Sequence, residues 1–257
     1  MDAPGNSQIT KVKRWLPYWA VFQCDLRQTL RSWVYRVWVL VLVLATAGFL
    51  LYRRGIYHEA GMIQSASALI SDLLRWSVVG SIALIIALAG NSISGERGTM
   101  ADSVLSRGIS RYQYFLGKWH ARLVAVLGTF FVLGLGALAG SYFLLHEDLT
   151  LRGGLIAMAV ILGFLMAVTS AGVTVSAMAN STMLGITVLW FLIYGVGFGL
   201  NYLPSRFPSP DRVLASLPVI LRGDYNLQSL GRLIGYSALG SLLLAMVGMG
   251  YFARRDV

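Results

Sequence analysis

NSISGERGTMADSVLSRGISRYQYFLGKW, residues 91–119, is the one long polar passage bounded on both sides by strongly apolar sequence, and it decides how the chain divides. Gly95-Glu96-Arg97 closes an apolar run that begins near Trp76, and Thr99 then opens a short segment ending at Arg107 and Gly108. Thr99 can cap the free amides of a first helical turn while Asp102, three residues on, reaches back to the cap. Gly108 suits the left-handed residue just past a helix end. Ser110 with Gln113 repeats the capping pattern and starts a helix that continues through Lys118 into the next apolar run. The pattern predicts two membrane spans joined by a capped helix of about two turns lying across their ends. An ordinary polar loop is the plainer alternative.

Composition sets the surroundings of this passage. Of 257 residues, 56% are hydrophobic and only 12% are charged, and mean hydropathy is +0.67. A soluble domain carries roughly 25% charged residues, so this is the composition of an integral membrane protein. The net charge of +10 would suggest nucleic acid in a soluble chain. Here the basic residues sit beside apolar runs, so membrane lipid headgroups and topology account for them, with no nucleic acid expected. Cys24 is the only cysteine and says nothing about compartment, and His58, His120 and His146 are too scattered to form a zinc or haem site.

Residues 1–18 are polar and basic, without the apolar core of a secretory signal, and are expected to stay in the cytoplasm. From Trp19 to Val37, Phe22, Leu26, Leu30, Trp33 and Val37 recur at helical spacing, while Gln23, Asp25, Arg27, Gln28 and Arg31 fill the other face. That pattern predicts an amphipathic helix in the membrane interface. Six uncharged apolar runs follow, each near the length needed to cross the hydrocarbon as a helix. They are Val37–Tyr52, Trp76–Ser94, Leu123–Leu145, Gly154–Met178, Met183–Leu203 and Leu233–Ala253.

The fold class expected is therefore an all-α integral membrane protein, one transmembrane domain over residues 1–257. It has a tail and amphipathic helix over 1–36, a cytosolic connecting helix within 95–119, between spans two and three, and an external loop over 204–229. Six spans put both termini on one side. Placing them in the cytoplasm assigns thirteen Lys and Arg to that side and eight to the other, the bias expected for cytoplasmic segments. The external loop carries Pro204, Pro208, Pro210 and Pro218 and cannot be one helix. Its Val213, Leu214, Leu217, Val219 and Leu221 suit it to lie on or dip into the outer interface, as a cap or as a gate. Glycines at alternate positions, Gly134, Gly136 and Gly140 or Gly195, Gly197 and Gly199, suggest close backbone approach or local flexibility.

Missing groups narrow the function. The six runs contain no Asp, Glu, Lys or Arg, so they hold no relay for an ion-gradient transporter. No GxxxxGK[ST] loop is present either, and Lys118, after Gly117 but before Trp119, reads as a basic interfacial anchor. A serine nucleophile at Ser92 or Ser94 would need a histidine base in a neighbouring span, and His120 and His146 lie at span ends.

Residues Ile93–Lys118 resemble the pattern ISGER..GT...LLS.PISR.....GK of the membrane subunits of ABC transporters of the type-2, export-type permease class. Here Gly98 and Thr99 follow Arg97 directly, and Gly108 stands where proline is usual. The resemblance covers this stretch closely and the remainder only in architecture. Similar architectures include the permease serving copper-site maturation of nitrous oxide reductase and antibiotic and multidrug exporters.

The resemblance implies that the helix from Thr99 to Arg107 is a coupling helix that docks on a cytosolic ATPase subunit. Glu96 and Arg97 would hold the end of span two, and Asp102 and Arg107 would cap or make charged contacts. Val104 and Leu105 would insert into the partner, and Arg111 would anchor the next helix. It further implies a homodimer, or a pair with a similar chain, in the bacterial inner membrane. Two ATP-binding subunits would carry ATP and Mg, and such a complex would have room for an external or periplasmic partner. No cofactor, metal or catalytic residue is expected in this chain. A membrane anchor or assembly protein without transport, and an intramembrane enzyme, are the rival readings.

Overall fold

A computed structural model describes residues 15–60, 65–96, 108–145, 149–202 and 209–254. Every regular element among them is helical. In chain order these are α1 (Leu16–Arg31), α2 (Trp33–Ala60), α3 (Ala66–Gly90), a 3-10 turn (Ser94–Glu96), α4 (Arg111–Leu145), α5 (Leu151–Met178), α6 (Thr182–Tyr202), α7 (Pro210–Ala215), α8 (Leu217–Arg222) and α9 (Leu227–Arg254). Six of them, α2 to α6 and α9, are long and apolar enough to cross a membrane, the architecture of a multi-pass membrane protein.

The helices outrun the apolar runs. The helix α3 begins ten residues before Trp76 and carries Asp72 and Arg75 on its exposed face. Likewise α4 begins at Arg111, well before Leu123, because Ser110 and Gln113 cap it reciprocally. The Gln113 amide donates to Ser110 Oγ at 3.2 Å, and the Ser110 amide donates to Gln113 Oε1 at 3.2 Å. The preceding Gly108 has φ of 82°, the left-handed conformation expected of it.

The expected single amphipathic helix is two helices. Ser32 ends α1 with extended backbone; its hydroxyl donates to Thr29 O at 2.8 Å and accepts from the Tyr35 amide at 3.2 Å, starting α2. The inward stripe of α1 is Val21, Asp25 and Thr29, while Leu30 and Trp33 are exposed. The supposed polar face is thus partly the packed one, for reasons that lie on α4.

At the centre stands α5, apolar or small on every side, the pattern of a helix surrounded by protein. It packs on α3, α4, α6, α8 and α9. Small residues and hydroxyls make these contacts close, as expected where lipid tails compete equally for apolar surface. Gly172 lies against Ala89 of α3, and Gly248 of α9 lies against Phe115 and Thr174. Ser170 accepts from Trp119 Nε1 at 2.9 Å and shares a hydrogen bond with Ser241 of α9 at 2.5 Å. Thr174 donates to Leu244 O at 2.8 Å.

By contrast α2 and α6 are peripheral, with most large apolar side chains exposed. Gly195, Gly197 and Gly199 of α6 consequently face open space, and no neighbouring backbone approaches them. Of the α4 set, Gly134 meets Met158 and Gly140 meets Leu50, while Gly136 is open.

The described part of the proline-rich segment, from residue 209 onward, packs into the core. Pro210 and Pro218 occupy the first turns of α7 and α8, where a missing N–H costs no helical bond. Leu214, Leu217, Ile220 and Leu221 then join the main hydrophobic core, and α8 wedges between α3 and α5. Gly223, at φ of 100°, ends α8. Its last carbonyls face α5, where the Thr150 amide donates to Leu221 O at 3.1 Å and Gly153 leaves no room for a side chain. Arg222 reaches the start of α3, donating to Ser67 Oγ at 2.8 Å and Ser65 Oγ at 3.1 Å.

Candidate functional site

The opposite end of the bundle holds the C-terminal ends of α3, α5 and α9, the N-terminal ends of α4 and α6, and α1. Three residues of α4 at helical spacing, Tyr114, Lys118 and Arg122, form a stripe that faces the Val21, Asp25, Thr29 stripe of α1. Between them Gly117 lets α1 close in, since a Cβ there would lie 2.8 Å from Val21 Cγ1 and 3.2 Å from the Phe22 amide nitrogen.

Lys118 is the hub. It is only 2% exposed, and its Nζ lies 2.7 Å from Glu96 Oε1 and 3.2 Å from Asp25 Oδ1. It also donates to Ser92 O at 2.7 Å and sits 5.3 Å from the centre of the Tyr114 ring. Its three donors therefore meet one acceptor from each of three places: α1, the C-terminal end of α3 and the 3-10 turn. Tyr114 donates its hydroxyl to the other Glu96 oxygen at 2.8 Å, and Arg122 Nη2 lies 3.3 Å from Asp25 Oδ1. Two carboxylates and two cations balance, which is what allows Lys118 and Asp25 to stay buried, with Arg122 and the partly exposed Glu96 beside them. Asp25 Oδ2 and Arg122 Nε are buried without a hydrogen-bond partner among the described residues.

Neutral contacts fix the same corner. Ser176 of α5 accepts from the Ile93 and Ser94 amides, each at 3.0 Å, and so holds the turn that presents Glu96. Ser92 and Ser94 donate to carbonyls of their own helix end, Ala89 O at 2.7 Å and Gly90 O at 2.8 Å. Arg111 Nη1 donates to Ala253 O at 3.3 Å, joining the start of α4 to the end of α9. Tyr114 stacks on Phe252 with ring centroids 5.9 Å apart. Tyr18 of α1 shares a 3.1 Å hydrogen bond with His120 Nδ1, and burial raises its phenol above the ordinary value.

Two residues singled out in the sequence are placed directly. Glu96 ends the 3-10 turn inside the ion cluster, and Arg111 is the first residue of α4. Arg97, Thr99, Asp102, Val104, Leu105 and Arg107 lie outside the described residues, as does the helix expected there. The reading of Lys118 as an interfacial anchor is overturned: it is buried between carboxylates. Asp25, Tyr114 and Arg122 were missed as site residues. The available signal was the four-residue spacing of Tyr114, Lys118 and Arg122, with one acid on a helix that otherwise carries only basic charges. Among the described residues no group of three His, Cys, Asp or Glu side chains could hold a metal ion. The cluster is suited to joining helices, and one of its members, Glu96, is the last described residue before 108. No family model matches the chain, and no curated protein matches it either.

Proposed function

We propose that the chain is the membrane-spanning permease subunit of an ATP-driven ABC exporter of the type-2 class, with ATP and Mg bound by a separate cytosolic subunit. The observation that carries this reading is how the residues on either side of positions 97–107 are anchored. On one side Glu96 is held by Lys118 and Tyr114, and on the other Ser110 and Arg111 begin the helix that bears those residues. Lys118 extends the attachment to Asp25 of α1.

A partner that pushes on Val104 and Leu105 thus moves the ends of α3 and α4 together and carries α1 with them. Buried ion pairs suit this task, because separating them exposes uncompensated charge and a concerted shift costs less. Arg97, Thr99, Asp102 and Arg107 would supply the capping and charged contacts of the docking helix. In this reading the termini are cytoplasmic, the membrane is the bacterial inner membrane, and two such chains, identical or similar, pair with two ATPase subunits. The apolar runs within the spans hold no ionisable residue, which favours a lipid-like or hydrophobic cargo, or mechanical work on an external partner, over a small ion.

The test is a tagged purification in mild detergent followed by an ATPase assay, with the wild-type chain and with Leu105→Asp. The expected result is co-purification of a Walker-motif subunit that is lost, or whose hydrolysis is uncoupled, in the variant. A chain that comes down alone without ATPase activity overturns the reading in favour of a membrane anchor.

A further inference from the structure

The helices α6 and α9 both pack on α5 and scarcely touch each other. The gap they leave is a cavity of about 340 Å³ lined by residues such as Phe164, Val168, Leu192, Val196 and Ser237. Its floor is the apolar face of α5. One end is closed by Pro210, Val213 and Leu214 of α7, which is held to α6 by Asn201 Nδ2 donating to Asp211 Oδ2 at 2.6 Å and Arg212 donating to Asn201 O at 2.9 Å. The side is open: Leu192 and Val196 of α6 and Tyr236 of α9 line the cavity and are also exposed on the outer surface of the bundle.

From this geometry we infer that the α6–α9 cavity is a binding site for one acyl chain of a bilayer phospholipid, entered sideways between the two helices. Water is a poor occupant. At about 30 Å³ each, on the order of ten waters would fill this volume, and each needs two to four polar partners. The lining offers only the hydroxyls of Tyr236 and Ser237, and no charged side chain. An unfilled gap of this size forfeits the dispersion contacts of every wall. The opening lies between helices long and apolar enough to span a membrane, so the phase that meets it is lipid tails. A chain that slides in replaces lost wall contacts without stripping any polar group of its partners, while its headgroup remains outside. This site stands apart from the ion cluster and does not depend on the transport reading.

The cavity can be filled from within. A Cβ on Gly197, which lines it, meets nothing within 4 Å, so a side chain can start from that wall, and Gly197→Phe is the filling variant. The full chain is reconstituted in phosphatidylethanolamine and phosphatidylglycerol vesicles containing a trace phospholipid with a mid-chain diazirine. It is then illuminated, and crosslinked residues are mapped by mass spectrometry, with exposed Leu40 and Leu44 of α2 as the internal reference.

The expected result is label at Phe164 and Ser237 well above that reference, falling severalfold in Gly197→Phe while label on α2 is unchanged. Label at Phe164 and Ser237 no richer than on α2, or undiminished in a folded Gly197→Phe variant, overturns the site. If that variant does not fold, Ala167→Phe, from the α5 wall, takes its place; should neither fold, the wild-type enrichment alone decides.

Discussion

Lys118 Nζ lies 3.2 Å from Asp25 Oδ1, with both side chains only 3% exposed, although the two residues are 93 positions apart in the chain. The contact joins α1 to α4, and the second carboxylate on the same ammonium, Glu96, joins both to the end of α3. Replacing Lys118 with Met leaves Asp25 with Arg122 alone and Glu96 with only the Tyr114 hydroxyl. Removing one partner of a buried pair costs about 3–5 kcal/mol. The Lys118→Met variant should show a loss of that order in SDS-induced unfolding from mixed micelles, and adding Asp25→Asn should recover part of it. Additive losses in the double variant would show that the two groups do not act as a pair.

Ser176 holds the same corner without charge. Its hydroxyl accepts from two buried amides, those of Ile93 and Ser94. In Ser176→Ala both amides lose their acceptor, and a buried donor left unmade costs about 1–3 kcal/mol. The expected outcome is a lower thermal midpoint in detergent, together with faster amide exchange at Ile93 and Ser94. Unchanged exchange at those positions would mean that the turn is held by something else.

Glycines on the two sides of the bundle should respond in opposite directions. A Cβ at Gly172 would overlap Ala89 Cβ, whereas one at Gly195 meets nothing within 4 Å. Gly172→Val overpacks the α3–α5 contact and should cost about 1–3 kcal/mol. Gly195→Ala should be neutral or stabilising by up to about 1 kcal/mol, since a helix-interior glycine gives way to a better helix former. Comparable losses at both sites would contradict the peripheral position of α6.

The short helix α8 offers a third contrast within three residues. Leu217 is 0% exposed and Val219 is 49% exposed. Leu217→Ala should destabilise by about 2–5 kcal/mol, the range for large-to-small substitutions in a core. Val219→Ala should stay within about 0.5 kcal/mol. Equal small effects at both positions would return the segment to the role of a surface loop.

The local grammar of this chain is legible without the structure. Each span is recognisable from the absence of charge over a membrane-crossing length. The start of α4 is recognisable because Ser110 and Gln113 lie three residues apart, and the prolines break 204–229 at places that Pro210 and Pro218 occupy in the structure. These features depend only on neighbours in sequence: hydrogen bonds within one turn, the transfer of one side chain from water, the fixed φ of one proline. The boundaries were shorter in the sequence than in the structure because Asp72, Arg75, Lys118 and Arg122 interrupt apolar runs that the helices pass through.

What tertiary structure alone decided is which elements meet. No local signal marks α5 as the centre and α6 as the edge, since both are almost uniformly apolar, and only packing distinguishes Gly172 from Gly195. The same holds for charge. On α1, Asp25 reads as a solvated residue of a polar face, and on α4 Lys118 reads as an anchor, because the energy of an isolated charge favours water. Bringing Asp25, Glu96, Lys118 and Arg122 within 3.3 Å contacts reverses that preference, as opposite charges at short range in a weakly polarisable interior compensate for lost hydration. That compensation belongs to no single segment, so it exists only once α1, the end of α3 and α4 have come together.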